Sequence, residues 1–275
     1  MYPMYEERAS ALAGAVVWTK SPAPGAAAAA VRPVLPDGCM DLLWTPGRLF
    51  VAGPDTRAQL PQGGPGDRFA GIRFAPGTAP AVLGVPAHEL RDRRVELADL
   101  WGAAGARRLA ERVDAAADPV AELESVALET AARRAADGIR PDPLLTRVVR
   151  LLDGGAPVAA AAGEVGLGAR TLHRRALDAF GYGPKTLARV LRLQRALALV
   201  GRGAPYASAA ASAGYADQAH FAREMRALSG TTLSGYGARG VPAQAVAPGC
   251  FRAPRRVQAA AKRETPIPSG SSTTA

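Results

Sequence analysis

Side chains able to do covalent or metal chemistry are few and far apart in this chain. Two cysteines, Cys39 and Cys250, and three histidines, His88, His173 and His220, are spread over 275 residues. No spacing among them suits a His/Cys metal site. No Gly-x-Ser-x-Gly elbow occurs, and the glycine-rich stretches lack the Lys-Ser/Thr ending of a phosphate loop. Cys39 follows a turn, but a nucleophilic thiolate needs positive charge or zinc beside it. Its neighbours Asp37 and Asp41 are acidic, so it reads as a buried, inert residue; alkyl transfer to Cys39 is the enzymatic alternative. The chain is richer in directional hydrogen bonding. In Gln218 to Leu228 an apolar stripe, Phe221, Met225 and Leu228, falls at i, i+4 and i+7, while Gln218, Ala219, His220 and Arg223 point elsewhere.

The elements that would position these residues are legible around them. Pro205 suits a first helical position, Ala207 to Ala213 are small enough for close helix packing, and Gly214 can take the positive φ of a sharp turn. Asp217 reads as the N-cap of the helix that follows. A buried helix, a tight turn and an exposed polar helix make a helix-turn-helix, whose second helix can enter a DNA major groove. The pattern occurs twice. Pro205, Gly214 and Tyr215 match Pro157, Gly166 and Leu167 at a shift of 48, and Phe221, Arg223 and Gly230 match Leu172, Arg174 and Gly181 at 49. A repeat this long is hard to get by chance. Between the copies, residues 184–200 carry leucines at helical spacing and read as a rigid linker helix.

The segment from Pro141 to Arg239 resembles the tandem helix-turn-helix domain of the AraC/XylS family of bacterial transcription regulators. The resemblance is carried above all by GYADQAHFAREM (Gly214 to Met225), Gly230, Thr231 and Tyr236. The first copy departs at Gly168 and Ala169, where a capping Ser is usual, and at Ala176, where a large apolar residue is usual. Resemblance and spacing together nominate Arg170, Thr171, His173 and Arg174 in the first copy, and Gln218, Ala219, His220 and Arg223 in the second. Arg can grip guanine O6 and N7, and Gln adenine N6 and N7, each bidentate pair discriminating by about 1–3 kcal/mol. Arg175, Lys185, Arg189 and Arg226 are nominated as phosphate contacts, which position without reading sequence. For Arg174, Arg223 and the two histidines, base contact and a phosphate or structural role both stand. Arg192 and Arg195 read as solvating the outer face of the linker helix, and His88 as structural.

Charge supports this reading. The net charge is +10, but with 31 arginines and three lysines its distribution says more than its size. Residues 1–137 hold 15 basic and 17 acidic side chains, residues 138–240 hold 14 and 6, and residues 241–275 hold 5 and 1. The excess lies with the repeat, as a phosphate-binding surface requires.

The expected class is α+β: a small β-barrel or sandwich with C-terminal helices over 1–137, an all-α tandem helix-turn-helix domain over 138–240, and a disordered basic tail over 241–275. The two units span about 157–181 and 205–230. Short β-prone runs are Ala15–Thr19, Val31–Leu35, Cys39–Trp44, Leu49–Ala52 and Phe69–Phe74. Pro36-Asp37-Gly38 should turn a hairpin between the second and third. Helical patterns follow at Ala79–Leu83, Val95–Trp101, Ala103–Val113 and Val120–Ala136. Val34 to Trp44 and Val51 to Thr56 resemble a barrel-type sensor domain of actinobacterial members of the family, which implies ligand sensing or dimerisation. The expected partners are double-stranded promoter DNA and a small-molecule effector, with RNA polymerase and a second copy of the chain also allowed. No metal or cofactor is called for. The absence of a long apolar run or an export signal, with sparse cysteine, points to a cytoplasmic protein. A DNA-binding protein whose N-terminal domain only dimerises is the alternative reading.

Overall fold

The computed structural model describes residues 4–21, 33–61 and 67–238. Cys250 and the basic tail expected over 241–275 lie outside the described residues.

The N-terminal part is one open antiparallel sheet of six strands: β1 (Met4–Ala9), β2 (Ala15–Ser21), β3 (Met40–Thr45), β4 (Arg48–Ala52), β5 (Phe69–Phe74) and β6 (Arg94–Glu96). Their order across the sheet is β1-β2-β5-β3-β4-β6. Among the described residues, the β-rich part expected as a barrel or sandwich is thus one open sheet that does not close on itself. Strand alternation sends Ala15, Val17, Met40, Leu42, Trp44, Leu49, Val51, Ala70, Ile72 and Phe74 to one face. There they form the largest core with helices α1 (Ala79–Leu83), α2 (Leu97–Trp101), α3 (Ala103–Asp114) and α4 (Pro119–Ala136). The other face carries Tyr5, Trp18, Leu43, Phe50 and Phe69, and beside them the cross-strand pair Asp41 and Arg73. Gly71 lets Trp18 lie across the sheet, since a Cβ there would stand 2.4 Å from the indole.

Two local expectations are corrected. Pro36-Asp37-Gly38 does turn, with Gly38 at φ +85, but no hairpin forms across it; Val34 makes an isolated bridge with Gln59. The tight hairpin is β3–β4 across Pro46-Gly47, with Thr45 opposite Arg48. Val95 belongs to β6 rather than to the helix after it, because it pairs with Val51.

The C-terminal part is all helix: α5 (Pro143–Asp153), α6 (Val158–Glu164), α7 (Ala169–Phe180), α8 (Pro184–Gly201), α9 (Tyr206–Ala213), α10 (Gln218–Ser229) and α11 (Leu233–Ala238). Two cores match the two copies. One gathers Leu145, Val149, Leu152, Ala161, Leu172, Ala176, Phe180 and Leu187; the other Leu193, Leu197, Ala210, Phe221, Met225 and Leu228. Burying one such side chain contributes about 1.5–3 kcal/mol. The linker α8 therefore does double service. Its N-terminal half closes the first core, and its C-terminal half stands to the second unit as α5 stands to the first.

The loops 33–39 and 53–59 join the two parts. Leu35 is buried within the second core. Gln194 Nε2 donates to the Pro36 carbonyl at 2.6 Å, and the Ala58 N–H donates to the Leu228 carbonyl at 2.7 Å. Arg91 reaches the Gly181 carbonyl at 3.4 Å, and His88 Nδ1 lies 3.3 Å from Asp178.

Candidate nucleic-acid interface

The duplicated turn is built alike in both units. Pro157 and Pro205 adopt φ −59, ψ 147 and φ −58, ψ 147 just outside α6 and α9. Each is one residue earlier than a first helical position. Gly166 and Gly214 take φ +66 and +84 in the turns, and Gly181 and Gly230 take +81 and +69 after the second helices. Asp217 caps α10 as expected, its Oδ1 accepting the His220 N–H at 2.6 Å. Gly168 offers α7 no side-chain cap. Ala176 is wholly buried, in the core that also holds Phe180 and Leu187.

The nominated reading residues fall at the exposed N-terminal ends of α7 and α10. Arg170, His173 and Arg174 are exposed and Thr171 half-buried; Gln218, Ala219 and Arg223 are exposed and His220 half-buried. The two histidines are tucked against their own backbone. Nδ1 of His220 accepts the Ala216 N–H at 3.5 Å with its ring edge-on to Tyr215. His173 lies over Gly183, where a Cβ would stand 2.8 Å from Nε2. Among the described residues Arg170, Arg174, Lys185, Arg223 and Arg226 make no ion pair.

Two nominated phosphate contacts are engaged within the fold. Arg175 on α7 pairs with Asp142, the N-cap of α5, at 3.3 Å. Arg189 on α8 grips both oxygens of Glu224 on α10, at 2.9 and 3.3 Å. The repeat explains both. Position 175 shifted by 49 is 224, and 142 shifted by 48 is 190, next to Arg189. Each unit thus ties its third helix to its first by an ion pair at matching places, with the signs exchanged. Arg189, nominated as a phosphate contact, ties α8 to α10.

Sequence reasoning missed the residues that hold the units together. Arg195, expected to solvate, donates to the carbonyls of Leu152 and Asp153 at the end of α5 and of Ala213 at the end of α9. A cation there also meets the negative ends of two helix dipoles. Arg192 stacks on Tyr215 at 4.7 Å and approaches Glu224 at 3.6 Å. Burial pushes the Tyr215 phenol up to about 12, with Glu224 adding to the shift. One signal for Glu224 was available: it follows Phe221 by three and precedes Leu228 by four, so it borders the buried stripe.

Glu224→Gln is expected to destabilise the protein by about 1–2 kcal/mol, the worth of a charge-assisted pair discounted for the partly exposed Arg189. A double-mutant cycle with Arg189→Gln, read by urea unfolding, should recover a coupling of that size. Additive effects would remove the tie.

A helix-turn-helix domain family matches residues 161–239, and a domain of unknown function (DUF6597) matches residues 15–96. No curated protein matches the chain. Among solved structures the chain is similar to ToxT from Vibrio cholerae. A 1.65 Å structure of ToxT aligns at 9% identity and TM-score 0.44 over 86% of this chain and 99% of that one. An apo variant of strain SCE256 aligns at 12% and 0.43 over 83% and 98%. The unsaturated fatty acid-bound form aligns at 10% and 0.41 over 85% and 93%. Among the described residues no helix is long and apolar enough to cross a membrane.

Proposed function

We propose, from a chain whose C-terminal part is an AraC/XylS-type helix-turn-helix domain and which is therefore a DNA-binding regulator, that α7 and α10 read two major-groove sites on promoter DNA under control of the N-terminal part. The observation that carries this reading is the duplication. Two three-helix units of like construction share the rigid α8, and each leaves the N-terminal end of its third helix exposed, with an arginine (Arg174, Arg223) at matching positions. In this reading Arg170, Arg174, Gln218 and Arg223 reach base edges; Thr171, His173, Ala219 and His220 shape the approach; and Lys185 and Arg226 meet phosphates. The domain division falls near 137/138.

Control by the N-terminal part is supported by where it holds the units. Pro54 lies against Gly181, at the end of α7, and Ala58 is bonded to Leu228, at the end of α10. Four residues of chain span at most about 14 Å. One loop thus keeps the far ends of the two helices closer together than the roughly 34 Å between successive major grooves. To engage adjacent turns the helices must splay toward their reading ends or one anchor must let go. An effector that shifts loops 33–39 and 53–59 changes which of these happens.

Fluorescence anisotropy on a site selected from genomic fragments tests the reading. Arg223→Ala should cost about 1–3 kcal/mol on the selected site and relax its sequence preference, leaving affinity for random duplex nearly unchanged. Equal losses on both duplexes assign Arg223 to phosphate, and failure to select any site removes sequence-specific reading.

A further inference from the structure

The two reading units have separate apolar cores, and α8 is their common support. Leu187 and Leu191 on its N-terminal half belong to the first core; Leu193, Ala196 and Leu197 belong to the second. Apolar packing is non-directional. It seats each unit on α8 without setting, by itself, the angle at which the unit stands. Hydrogen bonds are directional, and Arg195, just past the changeover from one core to the other, makes them to both units. Nη1 donates to the Leu152 carbonyl at 3.0 Å and to the Asp153 carbonyl, at the end of α5, and lies 3.7 Å from Oδ1 of Asp153. Nη2 donates to the Ala213 carbonyl at 3.3 Å, at the end of α9. Ala213 runs directly into Gly214 and the turn that launches α10, and Asp153 into the loop before α6. The guanidinium is a rigid planar fork, and here its two prongs hold the ends of helices from different units.

The repeat shows which of these bonds is the added one. A shift of 48 sets Arg195 on Arg147 of α5. Arg147 pairs with Glu164, at the end of α6 in its own unit. The counterpart in the second unit is the bond from Arg195 to the end of α9. The bonds to Leu152 and Asp153 come on top of it, and they cross from one unit to the other.

We propose that Arg195 is a positioning residue for DNA recognition: by fastening the end of α5 to the end of α9 it fixes the angle between the two units, and with it the spacing between the half-sites that α7 and α10 accept. This role deepens the two-groove reading and rests on it. One base pair inserted between two half-sites moves the second by about 3.4 Å and turns it by roughly 34–36° about the duplex axis. Units held at one angle cannot follow that turn. Units that rock on α8 can.

The test compares the full chain with Arg195→Lys, which keeps a positive charge near the helix ends but has no fork to bridge them. Nitroxide labels on Ala160→Cys and Ser208→Cys, matching exposed positions of α6 and α9, report the distance between units by pulsed electron paramagnetic resonance. Both proteins carry Cys250→Ser and keep the buried Cys39. The parent should give one narrow distance distribution and Arg195→Lys a distinctly broader one. On DNA, the parent should prefer the selected site about tenfold or more over versions with one base pair inserted or deleted, and Arg195→Lys only about threefold or less. Base preference within each half-site should stay as it was. Val149→Ala, which loosens the first core away from Arg195, should lower stability and leave the spacing preference intact. An unchanged distance distribution in Arg195→Lys overturns the proposal, and so does a broadened one with the spacing preference retained. Equal loss of spacing preference in Val149→Ala also overturns it, since any weakening of the fold would then suffice. Selection of single half-sites alone removes the two-groove reading, while broadening in Arg195→Lys still upholds Arg195 as the link between the units.

Discussion

Gly181→Ala is expected to lower the unfolding free energy by about 2–5 kcal/mol, while the matched Gly230→Ala lowers it by about 1–2 kcal/mol. The two glycines end equivalent helices, α7 and α10, and both hold positive φ, +81 and +69. Any L-residue there bears the same backbone strain. Their surroundings differ. A Cβ at Gly230 meets nothing within 4 Å, whereas one at Gly181 would stand 2.5 Å from Pro54 Cγ and 3.1 Å from the Ala87 carbonyl oxygen. Pro54 is a rigid ring and Ala87 offers backbone, so neither gives way cheaply. Urea unfolding of the two variants side by side cancels the shared strain and leaves the cost at the junction. Equal losses would mean that the N-terminal part yields at Pro54 without resistance, and the loop 53–59 could not constrain the reading helices. Gly214, with φ +84 and open space around it, belongs with Gly230 in this comparison. A β-branched Val there should cost more than Ala, because such side chains tolerate positive φ poorly.

What could be read from the chain alone is what local geometry enforces. The repeat showed itself because prolines before helices, glycines at positive φ and apolar residues at helical spacing are each required within a few residues of one another. All four glycines that the repeat sets in step, Gly166, Gly181, Gly214 and Gly230, take positive φ. Long-range pairing left no such trace. The edge strand Met4–Ala9 is too polar to stand out, and Val95 reads as helix until its partner Val51 is known. Pro36-Asp37-Gly38 has the composition of a hairpin turn, yet the chain before it leaves the sheet to place Leu35 in the second helical core. Arg195 looks like a solvated arginine on the linker until two helix ends from other parts of the sequence converge on it. The exchange of sign between Asp142–Arg175 and Arg189–Glu224 is visible in the sequence only once the helices are paired. Position by position it breaks the repeat, although the ion pair itself is kept.

The second large effect is expected at Arg73. Its side chain is 5% exposed, in the middle of the sheet on strand β5, opposite Val16 on β2 and Asp41 on β3. Burial opposes its charge, but Asp41 and Asp37 more than offset this and hold the guanidinium firmly protonated. Arg73→Ala removes that cation and leaves the carboxylates of Asp41, Asp37 and Glu7 facing one another at reduced solvent access. Breaking a buried pair from one side costs about 3–5 kcal/mol. Asp41 then takes up a proton more readily, since burial already pushes its carboxyl above the ordinary range and Arg73 is the charge that pulls it down. The loss should accordingly be smaller at pH 5 than at pH 7, because protonating Asp41 in the folded state relieves the repulsion. Replacing both partners at once, Arg73→Met with Asp41→Leu, should recover at least half of the loss, since a buried pair exchanged for apolar groups of similar size is often close to neutral. Trp18 Nε1 loses its acceptor in the double variant, and Asp37 and Glu7 remain, which is why the recovery stays incomplete. Urea unfolding of the single and double variants at the two pH values checks all of this. A single variant as stable as the parent would mean that the carboxylates of Asp41, Asp37 and Glu7 already reach water without Arg73.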